Sequence, residues 1–308
     1  MTGGVLRHWL FGLILATAAL PGWAVEPRLL IVLEEVAVSR QTAELLTREL
    51  TRLGWTVGEA TVGFERPVVL RPDDEPGLSV IVALGSRAFI SATRQAAGRS
   101  VVGALITRSA LDEILPLNAQ RWSVVLLDQP PDRWANLAYL AFPNRQQVGM
   151  LVGPAGTKHV QPLERRLEAR GMSLATESVA ASEEVIPALD RLLQRSNLLL
   201  ALPDPLAHNR NTVQPVLLTT YRARVPVLAY SEAYQQAGAV LALYSTVPQI
   251  VAQVLEILRQ LQDGKVLLGA QLSPRYFTVG INTSVARSLG LSLPAAGELQ
   301  EKLRGLEP

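Results

Sequence analysis

Short apolar runs recur along this chain and alternate with segments of helical periodicity. Leu29–Leu33, Val80–Leu84, Val101–Ile106 and Ser123–Leu127 make a first series. After a break near residues 128–146 the pattern restarts with Val148–Val152, a strand near 173–179, Leu198–Leu202 and Val225–Tyr230. A strand wetted on one face alternates apolar and polar residues, whereas a continuous apolar run belongs to a strand covered on both faces. Joined through helices, such strands form parallel sheets. The intervening segments suit that role. Ser39 is read as the N-cap of a helix carrying Leu45, Leu46, Leu50 and Leu53 on one face and stopped by Gly54. Further helices are expected from Ser86 to about Ala97 and over about 158–170, 183–195 and 213–223. Thr246-x-x-Gln249 has the spacing of a capping box opening an amphipathic helix through Leu261. The fold class is therefore α/β: two lobes of similar size, each with a parallel sheet. A chain of 308 residues that is 48% hydrophobic can bury two such cores.

The first 24 residues do not fit this pattern and read as an export signal. Arg7 and His8 supply a positive start, Trp9 to Leu20 an apolar core, and Gly22 and Ala24 the small residues of a cleavage site. Val25 is the expected mature N-terminus, and the expected location is the periplasm. The apolar stretch is shorter than the roughly 20 residues a spanning helix needs. With Arg7 removed, 28 basic and 27 acidic residues leave a net charge of +1. No basic block tracks a nucleic-acid backbone, so a nucleic-acid partner is not expected. Cysteine is absent, which excludes disulfides, thiolate metal ligands, thiol nucleophiles and a lipidated N-terminal Cys.

Three longer stretches carry a resemblance. "VVLLDQPPDRWANLAYLAFPNRQQVGMLVGP", "ALPDPLAHNRNTVQPVLLTTYRARVPVLAYSEAYQQAGAVLALYS" and "FTVGINTSVARSLGLSLP" are similar to segments of the ABC-transporter substrate-binding family that includes tryptophan- and tyrosine-binding lipoproteins. The resemblance covers roughly residues 28–295 and is strongest from Asp128 onward. It implies a type I periplasmic-binding-protein fold: two Rossmann-like lobes joined by hinge strands, with a ligand between them. On that reading the first lobe takes residues 25–128 and about 235–270, and the second takes 129–234 and about 271–308. Chain crossings are expected near Asp128, Tyr230–Gly238 and residues 265–275.

Ligands in open α/β sheets bind outside the carboxyl ends of the strands, so candidate site residues are sought there. "LLLALPDPLAHNRNTVQP" passes from buried strand to a polar cluster, which makes Asp204, Asn209 and Thr212 candidates. Asp204 is fixed between two prolines and would pair with the ammonium of an amino acid; turn chemistry alone also accounts for it. Thr212 equally suits the N-cap of the next helix. In "VALGSRAF", Gly85, Ser86 and Arg87 stand where a strand meets a helix N-terminus, a place for a carboxylate or other anion. The alternative there is a tight turn with a solvated arginine. The resemblance leads one to expect an "SDP"-like loop after the next strand; "LITRSALDE" stands there instead, leaving Thr107, Arg108 and Ser109 as weaker candidates. Asp128-Gln129-Pro130 closes the first lobe, and Glu232 and Tyr234 follow a second-lobe strand. Glu34 and Glu35 follow the first strand and read as solvated, although their position faces the cleft.

Enzymatic signatures are missing. "GPAGTKH" lacks the spacing of a phosphate-binding loop, and no G-x-S-x-G elbow occurs. His208 lies four residues from Asp204 without a third ligand nearby, so no metal and no cofactor is called for. The expected function is that of a non-enzymatic, monomeric periplasmic solute-binding component, delivering a small ligand to an ABC permease. The alternative is a periplasmic sensory or scaffolding protein with an altered or lost ligand site, partnered by a membrane sensor.

Overall fold

The computed structural model describes residues 28–63, 78–115, 121–265 and 269–307. The expected export signal, cleavage site and mature start at Val25 lie outside the described residues. Among the described residues no helix is long and apolar enough to cross a membrane.

The first lobe begins with β1 (Arg28–Glu34), α1 (Ala37–Arg52), β2 (Thr56–Val62), β3 (Leu78–Leu84) and α2 (Ser86–Arg94). It continues with β4 (Ser100–Ile106), α3 (Arg108–Ile114) and β5 (Trp122–Leu126). The second holds α4 (Pro131–Ala141), β6 (Gln147–Val152), α5 (Thr157–Glu168), β7 (Ser173–Ser178), α6 (Val185–Leu193) and β8 (Leu198–Ala201). After them come α7 (Val213–Arg222), β9 (Val227–Ala229), α8 (Glu232–Ala237) and β10 (Leu241–Tyr244). The chain returns to the first lobe for α9 (Val247–Gln262) and β11 (Ala270–Leu272), and ends in the second with β12 (Thr278–Ile281), α10 (Thr283–Ser288) and α11 (Ala296–Gly305).

Among the described residues each lobe has one six-stranded sheet, ordered β11-β5-β4-β3-β1-β2 and β12-β10-β9-β8-β6-β7. Every neighbouring pair is parallel except β10 with β12. The apolar runs are the central strands. Ile31, Val32, Leu33, Val82, Ala83 and Leu84 have no exposed surface. In the first lobe one sheet face packs on α1 and α9, through Leu46, Leu50, Ile250 and Val254. The other packs on α2 and α3, through Phe89 and Leu111. In the second lobe α4, α5 and α11 cover one face and α6, α7 and α8 the other. Burying each such large side chain contributes roughly 1.5–3 kcal/mol. Two doubly wound sheets result, as the apolar runs require.

Three expectations need correction. α1 starts before Ser39, which is buried inside the helix; its N-cap is Val36, which makes no side-chain capping bond. The break at 128–146 is a crossing followed by α4, with Pro131 at the first turn, where its missing N–H costs nothing. Tyr230–Gly238 is not a crossing. It is the end of β9 and then α8, capped by the Ser231 hydroxyl, which accepts from the Tyr234 N–H at 3.2 Å. β10 then pairs with β9, because its apolar residues fill the second sheet between β9 and β12. Residues 235–244 thus belong with the second lobe, and the crossings fall after β5, after β10 and after β11. The capping box at Thr246 and Gln249 is present and opens α9 just past the second crossing.

Candidate functional site

Each sheet changes its winding direction once: between β1 and β3 in the first lobe, between β6 and β8 in the second. The strand ends at such a reversal leave a crevice, the usual ligand position in this class of sheet. In the first lobe that crevice lies between the end of β1 and the Gly85–Arg87 turn. It is filled by the chain's own Glu34. Its Oε1 accepts the Arg87 N–H at 2.8 Å, and Oε2 lies 3.4 Å from the Arg87 guanidinium. Gly85 has φ of +102°, and a Cβ there would overlap the Glu34 carboxylate, so glycine is required twice over.

The second lobe repeats the device. Asp204 Oδ2 accepts the Gly153 N–H at 2.8 Å, and Oδ1 accepts from Leu206 and Ala207, both at 2.9 Å. The carboxylate therefore ties the loop after β6 to the turn after β8, and a Cβ at Gly153 would lie 2.6 Å from it. A third carboxylate, Asp128, accepts the Arg108 N–H at the start of α3 at 2.6 Å.

Between the lobes lies a cavity of about 90 Å³. Arg108 borders it from the first lobe; Asp128, Gln129 and Pro130 from the first crossing; Ser273 from the third. The second lobe contributes Trp134, Met150, Leu163 and Leu202, together with Gly156, His159, Pro203 and Asp204. Burial pushes the Asp128 carboxyl above its ordinary range, against the pull of the Arg108 N–H and of His159. Burial likewise lowers the His159 pKa, opposed by Asp128. His159 Nε2 is buried and has no hydrogen-bond partner among the described residues. At the rim Lys158 of α5 reaches across to Asp112 of α3 at 3.1 Å.

Of the candidates read from the sequence, Asp128, Asp204 and Arg108 border the cavity. Gly85, Ser86 and Arg87 stand at the reversal that Glu34 occupies, while Glu35 is exposed. Thr107 caps α3, accepting the Ala110 N–H at 3.3 Å and contacting Ser109 at 3.1 Å. Asn209 and Thr212 bond one another: Thr212 Oγ1 accepts the Asn209 N–H at 2.9 Å. The Asn209 side chain, accepting from Asn211 and Thr212, does the local capping expected of Thr212, whose hydroxyl makes no capping bond to α7. Glu232 is exposed at the start of α8. Tyr234 is buried in the second-lobe core, its hydroxyl 3.1 Å from His208 Nδ1. His159 and Trp134 were missed. The signal for His159 was its place just past a strand end, in the segment set aside as a failed phosphate loop.

The crossings are braided by amide side chains. Gln129 donates to Ser245 Oγ at 3.0 Å, and Ser245 donates to the Tyr276 carbonyl at 2.7 Å. Gln253 of α9 donates to the Ser273 carbonyl at 3.0 Å and accepts the Arg275 N–H at 2.8 Å. Buried Arg133 joins Gln129, the Pro274 carbonyl and Glu307, and stacks 4.1 Å from the Phe277 ring centroid. These bonds link the three crossings that join the lobes.

No protein-family model matches this chain, and no curated protein does at a significant level. Solved structures do. A ligand-free, open substrate-binding protein with adhesive properties from Clostridium difficile aligns with TM-score 0.71 at 13% identity, over 87% of this chain and 96% of that one. The ABC domain in complex with L-Trp from Streptococcus pneumoniae aligns with TM-score 0.63 at 15% identity, over 90% and 98%. A LacI transcriptional regulator from a Rhodococcus species aligns with TM-score 0.53 at 14% identity, over 80% and 95%. At these identities the likeness is one of fold. The chain has the type I periplasmic-binding fold, which solute-binding proteins and regulators share.

Proposed function

We propose that this chain is a periplasmic solute-binding component of an ABC-type uptake system, without catalytic activity, which holds a small ligand between its lobes and presents the closed form to a membrane permease. The observation that carries this reading is the cavity at the carboxyl ends of both sheets, walled by both lobes and backed by three braided crossings. Among proteins of this fold, the Streptococcus pneumoniae domain is in complex with L-Trp, and a periplasmic solute-binding protein from Actinobacillus succinogenes has bound D-allose. Asp128 and Asp204 are the residues proposed to face the ligand.

One observation favours a second reading. The first-lobe crevice is already filled by Glu34, as it would be in a sensory or scaffolding protein that no longer takes a ligand there. A thermal-shift screen of amino acids, amines, sugars and small anions separates the two, because a ligand that binds only the folded protein raises its melting temperature. X-ray scattering with and without a hit should then show a more compact particle. An unchanged profile at saturation would favour the scaffold.

A further inference from the structure

We propose that the cleft selects a small organic amine with an apolar body, recognised by Asp128 and His159 together and needing no carboxylate on the ligand. This rests on the cleft reading given above. Three observations support it.

First, both sheet reversals are closed to anions from within. Glu34 takes the Arg87 N–H, and Asp204 takes those of Gly153, Leu206 and Ala207. The backbone donors that would hold a ligand carboxylate are already bound to carboxylates, and a second anion there would meet like charge.

Second, the cavity has an acidic balance. With their carboxylates ionised, Asp128 and Asp204 border it against the guanidinium of Arg108, whose Nη1 is engaged with Gln271 at 3.0 Å, and the half-buried His159 is held towards its neutral form. The Lys158–Asp112 pair at the rim cancels itself. A monocation neutralises this set, whereas a zwitterion leaves it charged.

Third, Nε2 of His159 is buried without a partner among the described residues, and Asp128 is poorly solvated. An ammonium group has several N–H donors, enough for Asp128 and for a neutral imidazole nitrogen at once. Bridging the two would draw the lobes together. Around them Trp134, Met150, Leu163 and Leu202 offer an apolar wall and few further polar groups.

The test uses matched series sharing one skeleton: isoamylamine, leucine and 4-methylpentanoate; phenethylamine, phenylalanine and 3-phenylpropanoate; tryptamine, tryptophan and 3-indolepropionate. Calorimetric titration of the full folded protein should show an amine binding at least as tightly as its amino acid, and the acid not at all. Asp128→Asn should weaken that amine by about tenfold to a hundredfold, the range expected for a contact to a charged group. His159→Leu should weaken it, and His159→Gln, which keeps an acceptor, should restore part of the loss. Melting curves establish that each variant is folded. An amino acid that binds while its amine does not, an acid that binds, or an amine indifferent to Asp128→Asn would each overturn the inference. So would silence across all nine compounds. In those cases a sugar or small anion found by the wider screen would still uphold the cleft reading, so the two can fail separately.

Discussion

The imidazole of His208 lies wholly inside the second lobe, with Nδ1 3.1 Å from the Tyr234 hydroxyl and Nε2 buried without a partner among the described residues. Desolvation lowers its pKa to about 4, with Asp204 opposing. The unfolded chain takes up that proton below about 6.5, the folded chain only below about 4. The contribution to stability is thus fully present above pH 6.5 and is lost as pH falls towards 4. At pH 5 the loss amounts to about 2 kcal/mol. Urea unfolding at pH 7 and pH 5 should show His208→Phe losing about that much less than the wild type. Equal losses would mean that His208 takes its proton in the folded protein. The sequence identified the His208 and Asp204 neighbourhood as polar, but not its purpose. His208 meets Tyr234 across 26 residues, and Glu34 meets Arg87 across 53, separations that local pattern does not encode.

Elements show a different balance. The central strands were legible because a strand buried on both faces must be apolar throughout. α4 and α8 were not. α4 begins with two prolines, and α8 is a six-residue helix defined by its Ser231 cap and the burial of Tyr234. The staple between the β6 and β8 loops was half legible: two prolines flag Asp204, but Gly153 lies 51 residues away. Asp204→Asn removes the charge from a group accepting three backbone N–H bonds. It should lower stability by about 2 kcal/mol, since hydrogen bonds to charged groups are the stronger kind. Denaturant melts measure this directly. Unchanged stability combined with lost ligand affinity would instead make Asp204 a ligand contact first and a staple second.

At the scale of the whole molecule the two lobes meet at the braided crossings and also through the pair of Lys158 and Asp112. That ion pair is partly exposed, so its value is at most about 1 kcal/mol and falls with salt. Asp112→Asn should shift the open–closed equilibrium up to about fivefold towards open. The inter-lobe distance between two dye labels reads the shift, and added salt should move the wild type the same way while leaving the variant still. An equal salt response in both would clear the pair of any part in closure. The crossings also order the chain in time. β11 docks on β5 through Ala270 and Ser123, 147 residues apart, with the greater part of the second lobe between them. Until α9 and β11 leave the ribosome, the first sheet keeps a raw edge at β5 and an uncovered apolar face where Ile250 and Val254 belong. Closing so long a loop is slow, and unpaired edges and bare apolar faces attract other chains. The second lobe, nearly continuous from α4 to β10, can gather itself meanwhile. The first lobe therefore waits for most of the second to be made, and the second in turn closes only when β12 and α11 follow.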